Sequence, residues 1–231
     1  MLKHQSVLIC FLVVLIAVSC YADEAKNIYK FDSKYYATMR MGTWINQGDS
    51  PPANILYVDT VFSDTTFINA DINDVNFYIE GAFGVRVFAP LYAEISFGMD
   101  NRGTVEVYEG NLHDLGNLII YPILLQLKYY PLAGINSKIQ PFVGGGGGVY
   151  YKKRSIQLTN VYTLNYYNTD SETEFNYTLS GGFDWLLGEK FSIEIQGKYM
   201  PINFSNDLLT VEDYSATSLT VGIKYRYNSS N

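Results

Sequence analysis

Cysteine is nearly absent from this chain of 231 residues, and its two copies, Cys10 and Cys20, both lie near the N-terminus. If the first 22 residues are removed, the remaining chain folds without disulfide bonds. Histidine is equally scarce, with His113 the one copy outside that segment. These shortages exclude a disulfide-stabilised scaffold and a zinc site built from cysteine and histidine.

Basic residues are also few. The chain has 16 lysines and arginines against 23 aspartates and glutamates, which gives a net charge of −7. Loss of residues 1–22 removes Lys3 and no acid, leaving 15 bases against 23 acids and a net charge of −8. Because nucleic acids are polyanions, we expect no nucleic-acid partner for this acidic chain.

The one long apolar run lies at the N-terminus, where residues 7–18 follow the basic Lys3. Small residues at Cys20 and Ala22 then occupy positions −3 and −1 of a cut before Asp23. This pattern predicts a cleaved secretory signal peptide over residues 1–22, too short to span a membrane. Residues 23–34 would be a short periplasmic segment. A cut before Cys20, which would produce a lipoprotein, stays an alternative.

No comparable run follows residue 22. The longest, residues 118–127, is interrupted by Pro122 and Gln126. Aromatic residues are instead abundant, with 21 tyrosines and 13 phenylalanines, whereas charged residues make up 17% of the chain. A chain of this kind can span a membrane only as a closed β-barrel, in which all backbone groups pair between strands.

Alternation of apolar and polar residues with a period of two marks eight segments of the chain. They are residues 35–45, 75–87, 91–100, 118–130, 139–151, 174–186, 191–200 and 216–227. One face of each segment is mostly aliphatic and aromatic, and the other carries glycine and charged residues, although the first half of 118–130 is apolar on both faces. The pattern is typical of strands that have lipid on one side and a polar lumen on the other.

The connections between these segments alternate in length. Residues 46–74, 101–117, 152–173 and 201–215 form long connections, and residues 88–90, 131–138 and 187–190 form short ones. Long outer loops and short periplasmic turns are typical of outer-membrane barrels. The sequence therefore predicts an all-β, eight-stranded antiparallel up-and-down transmembrane β-barrel over residues 35–227, followed by a tail, 228–231. Residues 55–58 are expected to extend the strands above the membrane.

Aromatic residues collect near both ends of the predicted strands, where amphipathic rings prefer to lie in a membrane. The lower interface is predicted to carry Tyr35, Tyr92, Tyr129, Phe142, Trp185, Phe191 and Tyr227. The upper interface is predicted to carry Trp44, Phe77, Phe97, Tyr121, Tyr151, Phe175 and Tyr199.

Charged residues on the polar face are predicted to point into the lumen. They are Arg40, Glu80, Arg86, Glu94, Lys128, Asp184, Glu194, Lys198, Lys224 and Arg226. An eight-stranded barrel is only wide enough for side chains to fill it. The charges would form an ion-paired plug, a small-ligand site, or a narrow pore that slightly prefers anions because six bases face four acids. A weak repeat with an offset of 100 residues places Glu94 and Glu194 on opposite walls.

Three motifs resemble small bacterial outer-membrane barrels of the OmpA-like and OmpW-like kind. The last strand, TVGIKYRY, resembles their C-terminal assembly signal through Thr220, Gly222, Tyr225 and Tyr227. Residues 139–146 (IQPFVGGG) resemble their Pro-aromatic-Val-Gly strand, and GGFDW at 181–185 followed by FSIE at 191–194 resembles one of their hairpins. The resemblance implies a monomer in the outer membrane, in contact with its lipid and lipopolysaccharide, that is inserted by the barrel-assembly machinery.

Other functions are less well supported. The pair His113–Asp114 has no catalytic context, so we expect no enzyme, cofactor or metal. The acidic residues of the first long connection, Asp49, Asp59, Asp64, Asp71 and Asp74, match no calcium-loop spacing. A structural or porin-like surface protein is the first expectation. The alternative is a soluble, secreted, lipocalin-like binder of small ligands, which would place its apolar face inside.

Overall fold

The computed structural model describes residues 31–48, 55–59, 64–72, 74–109, 112–159, 165–208 and 211–227. Within these ranges the chain forms twelve β-strands: β1 (Tyr35–Asn46), β2 (Ile55–Asp59), β3 (Asp64–Ile72), β4 (Val75–Phe88), β5 (Leu91–Glu109), β6 (Leu112–Tyr129), β7 (Ile139–Thr159), β8 (Asn165–Leu186), β9 (Phe191–Met200), β10 (Asn203–Leu208), β11 (Val211–Asp213) and β12 (Ala216–Tyr227). No helix long and apolar enough to cross a membrane occurs in these ranges.

Eight of these strands close into a barrel in which every neighbouring pair is antiparallel. β1 pairs with both β4 and β12, and the ring continues through β9, β8, β7 and β6 to β5, which pairs back to β4. The predicted eight-stranded up-and-down barrel is confirmed. The strands join at tight turns at the end that also holds Tyr35 and Tyr227, called the lower end below.

One wall of the barrel is much taller than the other. β5, β6, β7 and β8 contain 19, 18, 21 and 22 residues, whereas β1, β9 and β12 contain 12, 10 and 12. The hairpin β2–β3 adds to the tall wall, because β3 pairs with β5 from Phe67–Tyr108 to Ile72–Gly103. The predicted extension by residues 55–58 is therefore confirmed.

The prediction that residues 101–117 and 152–173 are loops was wrong. The β5–β6 ladder continues to Glu109–Leu112, and the β7–β8 ladder continues to Thr159–Asn165. Alternation with an apolar face identifies only the part of a strand that contacts lipid, about ten residues long. A hydrogen-bonded ladder between two strands that are already in register needs no apolar face to continue beyond the membrane.

The outward face of the barrel is apolar and the inward face is polar. Phe175, Ile223 and Phe77 are 73%, 66% and 63% exposed, whereas the charged Arg40 and Glu194 are fully buried. This is the reverse of a soluble calyx, and a surface this apolar is not stable in water. The alternation therefore disfavours the lipocalin-like alternative.

Three residues predicted to lie at the membrane interfaces point inward instead. Trp44, Tyr92 and Phe142 are at most 1% exposed and pack inside the barrel. Each lies an even number of residues from an inward charged residue on its strand, as Trp44 does from Arg40, and therefore faces the lumen. The prediction placed them at the interfaces because they are aromatic. Large outward rings at the predicted interfaces are Phe77, Phe97, Phe175 and Tyr199 above and Tyr129, Trp185, Phe191 and Tyr227 below.

Candidate functional site: the barrel interior

Eight buried charged side chains meet in the middle of the barrel and form the central charge network. Seven of the eight barrel strands contribute to it, and β7 contributes none. Its members are Arg40, Glu80, Glu94, Lys128, Asp184, Glu194, Lys198 and Lys224. All were predicted to face the lumen, and each is at most 2% exposed.

Arg40 is the hub of this network. Its Nη2 lies 2.6 Å from Glu94 Oε2, its Nε lies 3.1 Å from Glu194 Oε2, and its Nη1 contacts Glu80 Oε1. A guanidinium group presents five donors in a planar fork, so one arginine can bind three carboxylates from different strands. The hub thereby connects β1 to β4, β5 and β9.

The lysines bridge the carboxylates that surround Arg40. Lys128 Nζ lies 2.8 Å from Glu94 Oε2 and 2.9 Å from Glu194 Oε1, so it joins two glutamates of opposite walls. Lys224 Nζ lies 2.7 Å from Asp184 Oδ2 and 3.3 Å from Glu194 Oε2. Lys198 contacts Glu80, which is the remaining acid.

Hydroxyl groups donate further hydrogen bonds to three of the four carboxylates. Tyr36 Oη donates to Glu94 Oε2 at 2.9 Å, Tyr78 Oη donates to Glu80 Oε2 at 2.7 Å, and Thr38 Oγ1 donates to Glu194 Oε2 at 3.3 Å. Lys224 donates to Tyr130 Oη at 2.9 Å. Such neutral donors stabilise buried carboxylates without adding charge.

The central charge network is electrically balanced, with four bases and four acids. The other two predicted lumen bases lie at the lower end. Arg86 is partly exposed and donates to the backbone oxygen of Asp32, and Arg226 donates to the backbone oxygens of Gly188 and Phe191. The excess of bases that suggested an anion-preferring pore is therefore absent from the middle of the lumen.

β7 faces the network with glycine. A Cβ atom at Gly146 or Gly148 would overlap the carbonyl oxygen of Leu125 or Ile123 on β6. The close approach of β7 to β6 therefore requires glycine at both positions. These residues bring two strands together.

An aromatic cluster fills the lumen below the network. It consists of Phe31, Tyr36, Tyr92, Tyr130, Phe142 and Leu186. Phe31 comes from the segment before β1, and its ring stacks on Tyr130 with centroids 4.2 Å apart and meets Tyr92 edge-on at 5.1 Å. Phe31 was not predicted as a lumen residue, and its one signal in the sequence is an aromatic residue between Lys30 and Asp32 just before the first strand.

An apolar cluster fills the lumen above the network. The connection between β9 and β12 folds into the opening with Ile202, Phe204 and Tyr214, each at most 2% exposed. They pack with Trp44, Tyr78, Leu118, Ile120, Leu124, Tyr150, Met200 and Ala216. Residues 201–215 were predicted to be an outer loop, and the structure places part of that connection inside the barrel.

Two cations that the sequence analysis did not single out hold this connection in place. Arg102 lies with its Cζ 5.3 Å from the ring centre of Tyr214, and Lys152 Nζ lies 5.0 Å from the same centre and 4.2 Å from that of Phe204. Arg102 is the extra residue of a β-bulge between Asn101 and Gly103, and a bulge re-aims a side chain. The polar sequence around Arg102 does not reveal the bulge. Alternation along β5 therefore could not predict which face of the strand carries Arg102.

Polar atoms without a protein partner remain among the described residues of the interior. Ser96 Oγ, Gln126 Nε2 and both amide atoms of Gln196 are buried in this way. Buried polar atoms of this kind are usually satisfied by water. The interior is therefore packed but not uniformly dry.

The four residues of the predicted assembly signal divide between the two faces of β12. Thr220 is buried on the lumen face, whereas Tyr225 and Tyr227 are exposed on the outer face. Gly222 pairs with Arg40 across the seam between β12 and β1. The strand thus joins the first strand beside the hub of the network.

Other predicted features carry no site among the residues that the structure describes. Those residues contain no group of three or more histidine, cysteine or acidic side chains that could hold a metal. His113 and Asp114 lie in β6, and their side chains are outside the described part, as are those of Asp59, Asp64 and Asp71. Asp49, the signal segment 1–22 and the tail 228–231 lie outside the described residues.

The fold is shared with solved outer-membrane barrels. Neisserial surface protein A superimposes with a TM-score of 0.53 at 12% identity, covering 84% of this chain and 98% of that one. The outer membrane protein OprG from Pseudomonas aeruginosa gives 0.55 at 18% identity, covering 88% and 100%. No known family and no curated protein matches the sequence. At these identities the likeness establishes the fold of small outer-membrane barrels, as the sequence motifs implied.

Proposed function

We propose that this chain is an integral outer-membrane protein whose sealed barrel anchors tall β-hairpins at the cell surface. The observation that carries the proposal is the filled lumen. Within the described residues, the lower aromatic cluster, the central charge network and the upper apolar cluster follow one another along the axis. An interior packed in this way acts as a plug rather than as a channel.

The outer-membrane location is supported by the outward face and by the structural neighbours. Exposed aliphatic and aromatic side chains surround the barrel, as a lipid environment requires. The two neighbours named above are bacterial surface or outer-membrane proteins. Export through a cleaved signal peptide at 1–22, insertion by the barrel-assembly machinery, contact with lipopolysaccharide and a monomeric state belong to the same proposal.

The surface role follows from strand length. A membrane-spanning strand needs about 9–11 residues. β7 and β8 contain 21 and 22 residues, so about half of each lies beyond the membrane at the upper end. With the termini on the periplasmic side, this tall wall and the β2–β3 hairpin face the exterior. Binding or adhesion functions would reside there.

Single-channel recording tests the seal. The folded protein in a planar bilayer is expected to give no reproducible conductance steps, with detergent alone as the blank. Insertion is verified by the gel mobility of the folded barrel. Reproducible steps that change in size with Lys198→Met or Glu94→Gln would refute the sealed lumen.

Such steps would support the second candidate, a narrow water-filled pore. The unpartnered polar atoms of Ser96, Gln126 and Gln196 favour this candidate, because they mark places where water can bind. The recording therefore separates the two functions directly.

A further inference from the structure

A cleft of about 370 Å³ opens on the outer surface of the barrel near its lower end. It lies at the seam where β1 meets β12 and β4, and it is lined by Tyr35, Tyr36, Ala37, Phe83, Tyr225 and Tyr227. The cleft is outside the lumen and takes no part in the seal proposed above.

The cleft exists because one small side chain lies among large rings. Ala37 pairs with Phe83 on β4 and with Tyr225 on β12, and all three point outward. Tyr35 stacks on Phe83 with centroids 6.1 Å apart and on Tyr227 at 6.4 Å. The rings therefore form walls around the methyl group of Ala37, which leaves a slot between them.

A positive charge lies at the lower edge of the same cleft. Lys34 is exposed, and its Nζ lies 5.4 Å from the ring centre of Tyr35. Lys34 precedes Ala37 by three residues, which is about 10 Å along a strand. The lysine therefore lies beyond the slot, toward the lower end of the barrel. The exposed Asp32 is also at this rim, where its backbone oxygen accepts a hydrogen bond from Arg86.

We propose that this cleft binds one anionic phospholipid of the periplasmic leaflet. An acyl chain would lie against Ala37 between the rings, and the phosphate would lie beside Lys34. Charge complementarity favours an anionic headgroup, although the chain as a whole carries a net charge of −8 after loss of residues 1–22. This inference rests on the proposal that the barrel spans a membrane.

Native mass spectrometry of the folded barrel with added phosphatidylglycerol or phosphatidylcholine tests the site. We expect one phosphatidylglycerol to bind more tightly than phosphatidylcholine, by about fivefold, the effect of one lysine near an anionic headgroup. Lys34→Gln should remove this preference. Lys138→Gln should leave the preference unchanged, because Lys138 is exposed at the same end on β7's side of the barrel, four strands away.

Filling the slot tests the position of the acyl chain. Ala37→Phe should weaken binding of both lipids by about tenfold, because the ring would occupy the space of the acyl chain and remove its packing contacts. Ala93→Phe is the matched control, since Ala93 also faces outward but lies on β5, beyond β4. Circular dichroism and gel mobility verify that each variant is folded.

Equal binding of the two lipids, or a preference that persists in Lys34→Gln, would overturn the headgroup assignment. Unchanged binding in Ala37→Phe would overturn the cleft assignment. Both outcomes differ from a failure of the membrane proposal, in which the unvaried chain would not insert into vesicles at all.

Discussion

Replacing Arg40 and Glu194 together is expected to lower the free energy of unfolding by less than the sum of the two single replacements. Arg40→Met leaves three bases against four acids, and Glu194→Gln leaves four bases against three acids. Breaking a buried ion pair from one side typically destabilises a protein by about 3–5 kcal/mol, because the remaining charge stays buried. Each single variant should therefore lose about that much free energy of unfolding.

The double variant keeps three matched pairs. Glu94 retains Lys128 at 2.8 Å, Asp184 retains Lys224 at 2.7 Å, and Glu80 retains Lys198. The network is again neutral, so the combined loss should fall short of the sum of the single losses by about 2 kcal/mol or more. Arg86→Met is the control, since Arg86 is partly exposed at the rim and bonds to a backbone oxygen. It should lose about 1 kcal/mol or less.

Urea unfolding in phospholipid vesicles measures these differences, with tryptophan fluorescence and gel mobility as two independent signals and linear extrapolation to zero urea. The reasoning is refuted if Arg40→Met loses no more stability than Arg86→Met. It is also refuted if the loss in the double variant equals the sum of the single losses.

Two further predictions concern the seam and the two faces. Gly222→Asp and Tyr227→Ser, both in the predicted assembly signal, should lower the folded fraction in outer-membrane preparations. A Cβ at Gly222 would lie 2.6 Å from the backbone oxygen of Met39 on β1, and the aspartate would add an acid beside the network. Gly81→Ala is the control, because a Cβ at Gly81 would meet no atom within 4 Å. Normal assembly of Gly222→Asp and Tyr227→Ser would contradict the assignment of the assembly signal to β12. Lipids with brominated acyl chains should quench the fluorescence of Trp185, which is 51% exposed, and not that of Trp44, which is buried in the lumen. Variants with a single tryptophan report each ring separately. Quenching of Trp44 would show that this side chain faces the lipid and not the lumen.

The closed barrel was predictable because one physical rule governs every spanning strand. Lipid outside and a narrow lumen inside require strict alternation, and a closed ring satisfies all backbone hydrogen bonds. The rule placed Arg40, Glu94, Lys128 and Glu194 on the inward face without any knowledge of their contacts. It could not choose among their pairings, since those depend on the stagger between strands that are far apart in sequence.

The errors occurred where the rule no longer applies. Above the membrane no lipid constrains the outer face, so the tall wall formed by β7 and β8 was mistaken for loops. Inside the lumen, an aromatic ring can fill space as readily as an aliphatic chain, and Trp44 was therefore assigned to the interface by residue type against its own parity. Phe31 and Tyr214 lie outside the spanning strands, where alternation makes no prediction.

The apolar clusters and the charge network depend on each other. Phe31 and Tyr214 help to close the two ends of the lumen, which lowers the local dielectric and strengthens each ion pair between them. The same closure would make an unpaired charge very unfavourable, so the 4:4 balance of the central charge network suits a closed lumen. A conducting barrel would need neither the balance nor the closed ends, because water would solvate its charges. The combination therefore favours the proposed seal, which leaves the tall hairpins as the part of this chain that we propose for binding.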